Sequence, residues 1–141
     1  MIAYFDTSAA VKLLLSESAS GEAMHIWTAA HTVVSSLLMY PEARAALRRA
    51  ARERRLSEAE LRLAVVGFER LWSQMAQVAV VPPLARRAGV LAHEQNLRAY
   101  DAVHLASAEL LRSDELVFVG ADRDLCAAAR RLGFAVARLP D

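Results

Sequence analysis

An α/β fold in three layers, an open and mainly parallel sheet flanked by helices, is what this sequence predicts. Three observations carry that expectation. Short apolar runs alternate with stretches of helical periodicity from one end of the chain to the other. Those runs stop at acids, prolines or glycines, as strands between crossover helices do. No internal repeat, low-complexity segment or linker interrupts the alternation, so residues 1–141 are expected to form a single domain. A chain of that size buries roughly two-thirds of its unfolded surface and needs no disulfide or structural metal to fold.

The elements follow in order. Ile2 to Phe5 is a short apolar run ending at Asp6, as a buried first strand would be. Asp6-Thr7-Ser8 supplies turn and N-cap chemistry for a helix over Ala9 to Leu15. Ser16 to Gly21 is small and polar, a loop into a second helix that runs through Trp27. Thr32-Val33-Val34 is the second strand. Ser35 and Ser36 are available to cap a long helix reaching Arg55, with Pro41 tolerated in its first turn. Ser57 and Glu60 form a capping box, and Leu61, Val65, Phe68, Leu71 and Trp72 follow at helical spacing. Val78 to Val81 is a strand stopped by Pro82-Pro83. Helices are expected over Pro83 to His93 and Tyr100 to Leu111, then a strand over Leu116 to Val119. Asp122 opens a helix that closes at Gly133, a C′ glycine, and Phe134 to Val136 is the last strand.

Composition narrows the class. Hydrophobic residues make up 55% of the chain, but much of that is alanine. No stretch approaches the ~20 uninterrupted apolar residues of a membrane span. The N-terminus reaches an acid at Asp6 without a basic segment, unlike a secretory signal. The single cysteine, Cys126, has no partner for an intrachain disulfide and no metal-ligand spacing around it; it reads as a small buried hydrophobe. A cytoplasmic protein with no membrane partner is the expectation. Net charge is +1, so there is no global field to attract nucleic acid. Positive charge is nonetheless concentrated at Arg44, Arg48, Arg49, Arg52, Arg54 and Arg55, either a solvated helix face or a ridge that contacts phosphate or a partner.

Four acids carry the functional argument: Asp6, Glu42, Asp101 and Asp122. Each has a structural explanation of its own. Asp6 and Asp122 are good N-caps, and Glu42 and Asp101 are early-turn acids favoured by the helix dipole. Together they fall at the carboxyl edge of one sheet or at helix starts beside it, where open α/β sheets bind ligands. Clustered carboxylates repel, and burial raises their pKa values. A cation relieves both penalties, and oxygen-only ligands suit Mg²⁺, or Mn²⁺ in its place. Divalent ions held this way, about 4 Å apart when paired, can activate water against a phosphodiester.

Several segments resemble PIN domains. Tyr4-Phe5-Asp6-Thr7-Ser8-Ala9 is similar to their opening strand and acid, and Ser35-Ser36-Leu37 leading to Glu42 to their second motif. Arg98 to Ala108, with Tyr100-Asp101-Ala102-Val103-His104 at its heart, resembles the third and most specific motif. Phe118-Val119-Gly120-Ala121-Asp122-Arg123-Asp124-Leu125 resembles the fourth. The ordered set spans nearly the whole chain at spacings similar to VapC-type toxins. The resemblance implies a metal-dependent endoribonuclease, the toxin of a VapBC-type toxin–antitoxin module that cleaves structured RNA. It implies Asp6 and Asp101 as principal metal ligands, with Glu42 and Asp122 completing the acidic pocket. It further implies a VapB-like antitoxin as partner and a homodimer. An antitoxin tail would find apolar surface near Trp27 and along Leu61 to Trp72, and one of its arginines could reach Asp6 and Asp101. The pattern often carries Thr or Ser where this chain has Gly120, so Ser8 or Thr7 is the candidate replacement hydroxyl. Asp124 reads as a surface acid.

His104 stands three residues after Asp101, on the same helical side, and reads as a structural hydrogen-bonding histidine rather than a general base. Trp27 and Trp72 read as packing residues, although they and Tyr100 could stack on RNA bases. The alternatives are a catalytically weak PIN-fold RNA-binding module and a housekeeping PIN nuclease without antitoxin. An α/β hydrolase or phosphatase would bring G-x-S-x-G or a P-loop, and neither is present.

Overall fold

The computed structural model describes residues 1–15 and 19–141, and its strands are β1 (Ile2–Phe5), β2 (Thr32–Ser36), β3 (Ala76–Val78), β4 (Leu116–Gly120) and β5 (Ala135–Arg138). The helices are α1 (Thr7–Lys12), α2 (Ser20–Ala29), α3 (Met39–Arg52), α4 (Glu58–Gln74), α5 (Pro82–Gln95), α6 (Ala99–Glu109) and α7 (Arg123–Arg131). All five strands are parallel, in the order β3-β2-β1-β4-β5. β1 is central: Ala3 pairs with Val33 on one side and Val117 on the other. The expected three-layer parallel fold is therefore what forms.

Period-2 alternation along β1 divides the core. Ala3 and Phe5 face a cluster with Met39, Leu47 and Phe68 from α3 and α4. Tyr4 faces the other, with Leu91, Leu105, Phe118 and Leu125, from α5, α6, β4 and α7. Each fully buried Phe or Leu contributes about 1.5–3 kcal/mol. Both clusters are needed because a parallel sheet must be covered on both faces.

The helix ends obey local chemistry. Ser57 and Glu60 make the reciprocal capping box at α4. Pro82 opens α5, and Asn96 closes it in the left-handed region with φ 53°. Gly133 follows α7 at φ +88°, where a Cβ would be strained.

Several local expectations are corrected. Of the expected Ser16 to Gly21 loop, residues 16–18 lie outside the described residues, and Ser20 already belongs to α2. Ser35 is buried in β2 and donates to the Phe5 carbonyl rather than capping α3, while Ser36 accepts from the Leu38 amide. Helix α3 ends at Arg52, and Arg54 takes φ 59° in the turn that follows. The third strand is Ala76–Val78 rather than Val78 to Val81. It pairs only with Val34 to Ser36, where β2 itself ends, and so Val80 and Val81 have no strand beside them. The Arg44-to-Arg55 ridge is divided: Arg44 and Arg48 meet Glu69 and Glu58 of α4, and Arg55 meets Glu53. The expected apolar surfaces turn their aromatic residues inward, while Leu63 and Val66 of α4 stay exposed. Trp27 packs on Phe5, and Phe68 and Trp72 pack on Tyr40. No helix among the described residues is long and apolar enough to cross a membrane.

Candidate active site

The sheet order reverses between β1 and β4, so the chain leaves a crevice at the carboxyl ends of those strands. Asp6 sits at the end of β1 and is the N-cap of α1. Asp122 follows β4 and is the N-cap of α7. Asp101 lies in the first turn of α6, and Glu42 in the first turn of α3. All four line one open cavity of about 370 Å³, together with Thr7, Ser8, Lys12, Arg49, Arg98, Tyr100 and His104. Asp124 is exposed on α7 and is not among the lining residues.

Asp6, Asp101 and Glu42 each commit one oxygen to the fold or to a neighbour, and Asp122 commits both. Asp6 Oδ1 accepts from the Ala9 amide at 2.8 Å and from the Ser8 hydroxyl at 2.7 Å. Ser8 in turn accepts from the Ala121 amide at 2.9 Å, which clips the end of β1 to the loop after β4. Asp122 Oδ1 caps Leu125 at 2.8 Å. Asp101 Oδ2 accepts from Arg98 Nε at 3.1 Å. Glu42 Oε1 accepts from the Thr7 hydroxyl at 2.8 Å and from His104 Nε2 at 2.7 Å. Asp6 Oδ2, Asp101 Oδ1 and Glu42 Oε2 take no hydrogen bond from the described residues. Thr7 and Ser8 thus both orient acids, as the absence of a hydroxyl at Gly120 leads one to expect.

His104 is buried and links Glu42 to the core. Glu42 Oε1 offers only lone pairs and so accepts from Nε2, while Nδ1 lies 2.9 Å from the Tyr4 hydroxyl. Burial pushes the Tyr4 phenol far above its usual range, which keeps it a proton donor. Tyr4–His104–Glu42 is a positioning relay from the floor of the sheet to the cavity. The hydrogen bonds expected of a structural histidine at this position are present.

Electrostatics distinguish the acids. Asp6 is 2% exposed, and loss of solvent holds its carboxyl up at about 6, despite His104 and the donors on Oδ1. Burial also raises Asp101, against the lowering effect of Arg98. Such carboxylates gain from a cation. No three of the chain's Asp, Glu, His or Cys side chains make a ready-made metal cage among the described residues. Mg²⁺ keeps several waters and takes one or two carboxylates directly. The oxygen-only donors and the undonated oxygens of Asp6, Asp101 and Glu42 fit such an ion.

Sequence inspection gave no role to Arg98, which bridges Asp101 and Asp122, or to Lys12. The three-residue spacing of Arg98 and Asp101 at a helix start was the available signal for the first. For Tyr4, the signal was its place two residues before Asp6 on the same face of β1.

Comparison with known proteins identifies the family and the fold. The PIN domain family model matches residues 3–131. The chain is 42% identical over 136 residues to Ribonuclease VapC45 of Mycobacterium tuberculosis (strain CDC 1551 / Oshkosh), covering 96% of this chain and 94% of that one. Its fold resembles the crystal structure of Mycobacterium tuberculosis VapC20, a sarcin-ricin loop cleaving toxin, with TM-score 0.72, 21% identity and coverage of 96% and 98% of the two chains. It also resembles a chain of a toxin–antitoxin complex from Klebsiella pneumoniae, with TM-score 0.59, 24% identity and coverage of 86% and 88%. These two structures speak to the fold alone.

Proposed function

The chain belongs to the PIN domain family, and from its acidic cavity we propose that it is a Mg²⁺-dependent endoribonuclease of the VapC type, the toxin of a toxin–antitoxin module, acting on structured RNA. The observation that carries this reading is the convergence of Asp6, Glu42, Asp101 and Asp122 on one open cavity at the carboxyl edge of the sheet. Ribonuclease activity is what the name of the 42%-identical relative states for that relative.

Asp6 and Asp101 would hold the ion, with Glu42 and Asp122 beside them; Mn²⁺ would serve in place of Mg²⁺. Such an ion supplies Lewis-acid polarisation of a water and of the phosphodiester. The chain's own residues do the rest. Ser8 and the Ala9 amide fix Asp6, and Thr7 and His104 fix Glu42. Arg49 and Lys12 at the cavity wall offset the repulsion that four acids exert on an RNA backbone. Tyr100 is 41% exposed at the same cavity, where its ring is open to a base.

An antitoxin partner draws support from an apolar groove of about 590 Å³ lined by Leu13, Leu14, Leu56, Leu63 and Gly67. A homodimer and a cytoplasmic site of action belong to the same reading.

The test is cleavage of a structured RNA by purified protein, with Mg²⁺ and with EDTA, alongside Asp101→Asn. Cleavage that needs Mg²⁺ and is lost in the variant is expected. Undiminished cleavage by the variant would refute the ligand assignment. Absence of cleavage in the wild type under every metal tried would leave a PIN-fold binding module.

A further inference from the structure

Arg98 is at odds with its local surroundings. It stands at the N-cap of α6 with no side-chain capping bond, where a cation faces the positive end of the helix dipole. Helix propensity gives no reason for it. Its side chain turns instead to two acids on different elements: Nε meets Asp101 Oδ2 at 3.1 Å, and Nη2 meets Asp122 Oδ2 at 3.4 Å. The planar fork of a guanidinium can span two carboxylates in this way, as an ammonium cannot. The guanidinium also lies 5.0 Å from the centre of the Tyr100 ring, an anchor that involves neither acid. The side chain is 62% exposed, so it can leave the acids at small cost.

Resting on the metal-dependent reading above, we infer that Arg98 is a built-in counter-cation for Asp101 and Asp122 that competes with the divalent ion for the charge of those carboxylates, and so sets how tightly the site takes metal. The competition is electrostatic. An ion on the undonated Oδ1 of Asp101 would share its carboxylate with the guanidinium on Oδ2 and so crowd two cations onto one acid. Arg98 could then leave the acids while keeping its contact with the Tyr100 ring. The residue therefore trades metal affinity for integrity of the acidic pocket.

The experiment is isothermal titration of the full chain with Mn²⁺ alone at pH 8, paired with thermal melting in EDTA. The proteins are the wild type, Arg98→Gln, Arg98→Lys, Asp6→Asn and Arg87→Gln. Arg87 pairs with Glu109 away from the cavity and controls for net charge. Arg98→Gln is expected to bind Mn²⁺ about two- to tenfold more tightly, the range set by loss of two partly solvated ion pairs. It should also melt at lower temperature than wild type in EDTA, because Asp101 and Asp122 lose their counter-charge. Arg98→Lys should gain less affinity, and Arg87→Gln should gain none. Affinity in Arg98→Gln equal to or below wild type would overturn the inference, as would an equal gain in Arg87→Gln. The metal reading itself is judged separately, by wild type against Asp6→Asn. If neither bound Mn²⁺, that reading would fail, and Arg98→Gln would still decide the inference by gaining binding or not.

Discussion

Asp6→Asn should make the protein more stable and less active at once. The buried carboxyl of Asp6 is held up at about 6, against an ordinary 3.8, chiefly by loss of solvent. The native chain therefore keeps its proton to higher pH than the unfolded chain does. By linkage, stability falls as pH rises from about 4 through about 6, and the whole cost is present above that window. The distance from 3.8 to about 6, at about 1.4 kcal/mol per pH unit, comes to about 3 kcal/mol. Asparagine removes this cost and keeps the Oδ1 acceptor for Ala9 and Ser8. Its amide replaces Oδ2, and a donor set in a buried site in place of an acceptor costs about 1 kcal/mol. The net gain of about 2 kcal/mol corresponds to a rise of roughly 6 °C in melting temperature for a chain of this size. The assay is thermal melting in EDTA at pH 8 and pH 4, with RNA cleavage measured in parallel. The gain should be present at pH 8, absent at pH 4, and accompanied by loss of cleavage. Added Mg²⁺ should raise the melting temperature of the wild type and leave the variant unmoved. A variant less stable than wild type at pH 8 in EDTA would refute the desolvation argument.

With Mg²⁺ limiting, cleavage by the wild type should fall as pH drops through about 6, where Asp6 takes up its proton; a flat profile from pH 5 to 8 would count against Asp6 as a ligand. Glu42→Gln and Asp122→Asn should weaken cleavage at low metal and recover part of it with Mn²⁺, since each removes one charge from a shared set; wild-type behaviour at limiting Mg²⁺ would return both to structural roles. Arg49→Gln should lower the salt slope of RNA binding by about one, whereas Arg48→Gln, already paired with Glu58, should leave it unchanged. Gly120→Thr should destabilise the fold by about 1–3 kcal/mol through overpacking, read as a lower melting temperature, and Cys126→Ala in the same chain should restore part of it.

The order of strands and helices was legible because each announces itself locally. Asp6, Ser57-Glu60, Pro82 and Gly133 mark boundaries through caps and backbone geometry that involve neighbours a few residues away. The misplaced third strand shows where that logic stops. Val78 to Val81 has the better β composition, but a strand exists only where a partner lies beside it, and β2 ends at Ser36. The acids were legible for the same local reason: each closes a strand or opens a helix. Their support was not. Tyr4 reaches His104 across 100 positions, His104 reaches Glu42 across 62, and Arg98 reaches Asp122 across 24. Nothing in a single sequence ties such residues together before the sheet order brings them to one edge. The pairing within the arginine ridge was hidden for a related reason: α4 supplies the acids that meet Arg44 and Arg48, and only the packing of α3 on α4 puts them there.

Gly120 gains a reason from the same geometry. A Cβ at that position would stand 3.0 Å from Asp6 Oδ2 and 3.0 Å from Cys126 Sγ. The space beside Asp6 is therefore filled by the thiol of α7 rather than by a side chain from β4. Burial pushes that thiol up to about 12, so it stays neutral and adds bulk without charge next to a carboxylate that already resists ionising. A threonine or serine on β4 would need Cys126 to give way. The hydroxyl that β4 lacks comes instead from Ser8, which reaches from α1 to hold both Asp6 Oδ1 and the Ala121 amide. The two changes belong together: once the thiol occupies the space, β4 can approach Asp6 only as glycine, and the orienting hydroxyl has to come from the helix that Asp6 itself caps. Asp6 is then held by its own helix and walled in by α7, which leaves Oδ2, crowded and poorly solvated, as the carboxylate oxygen with most to gain from a cation.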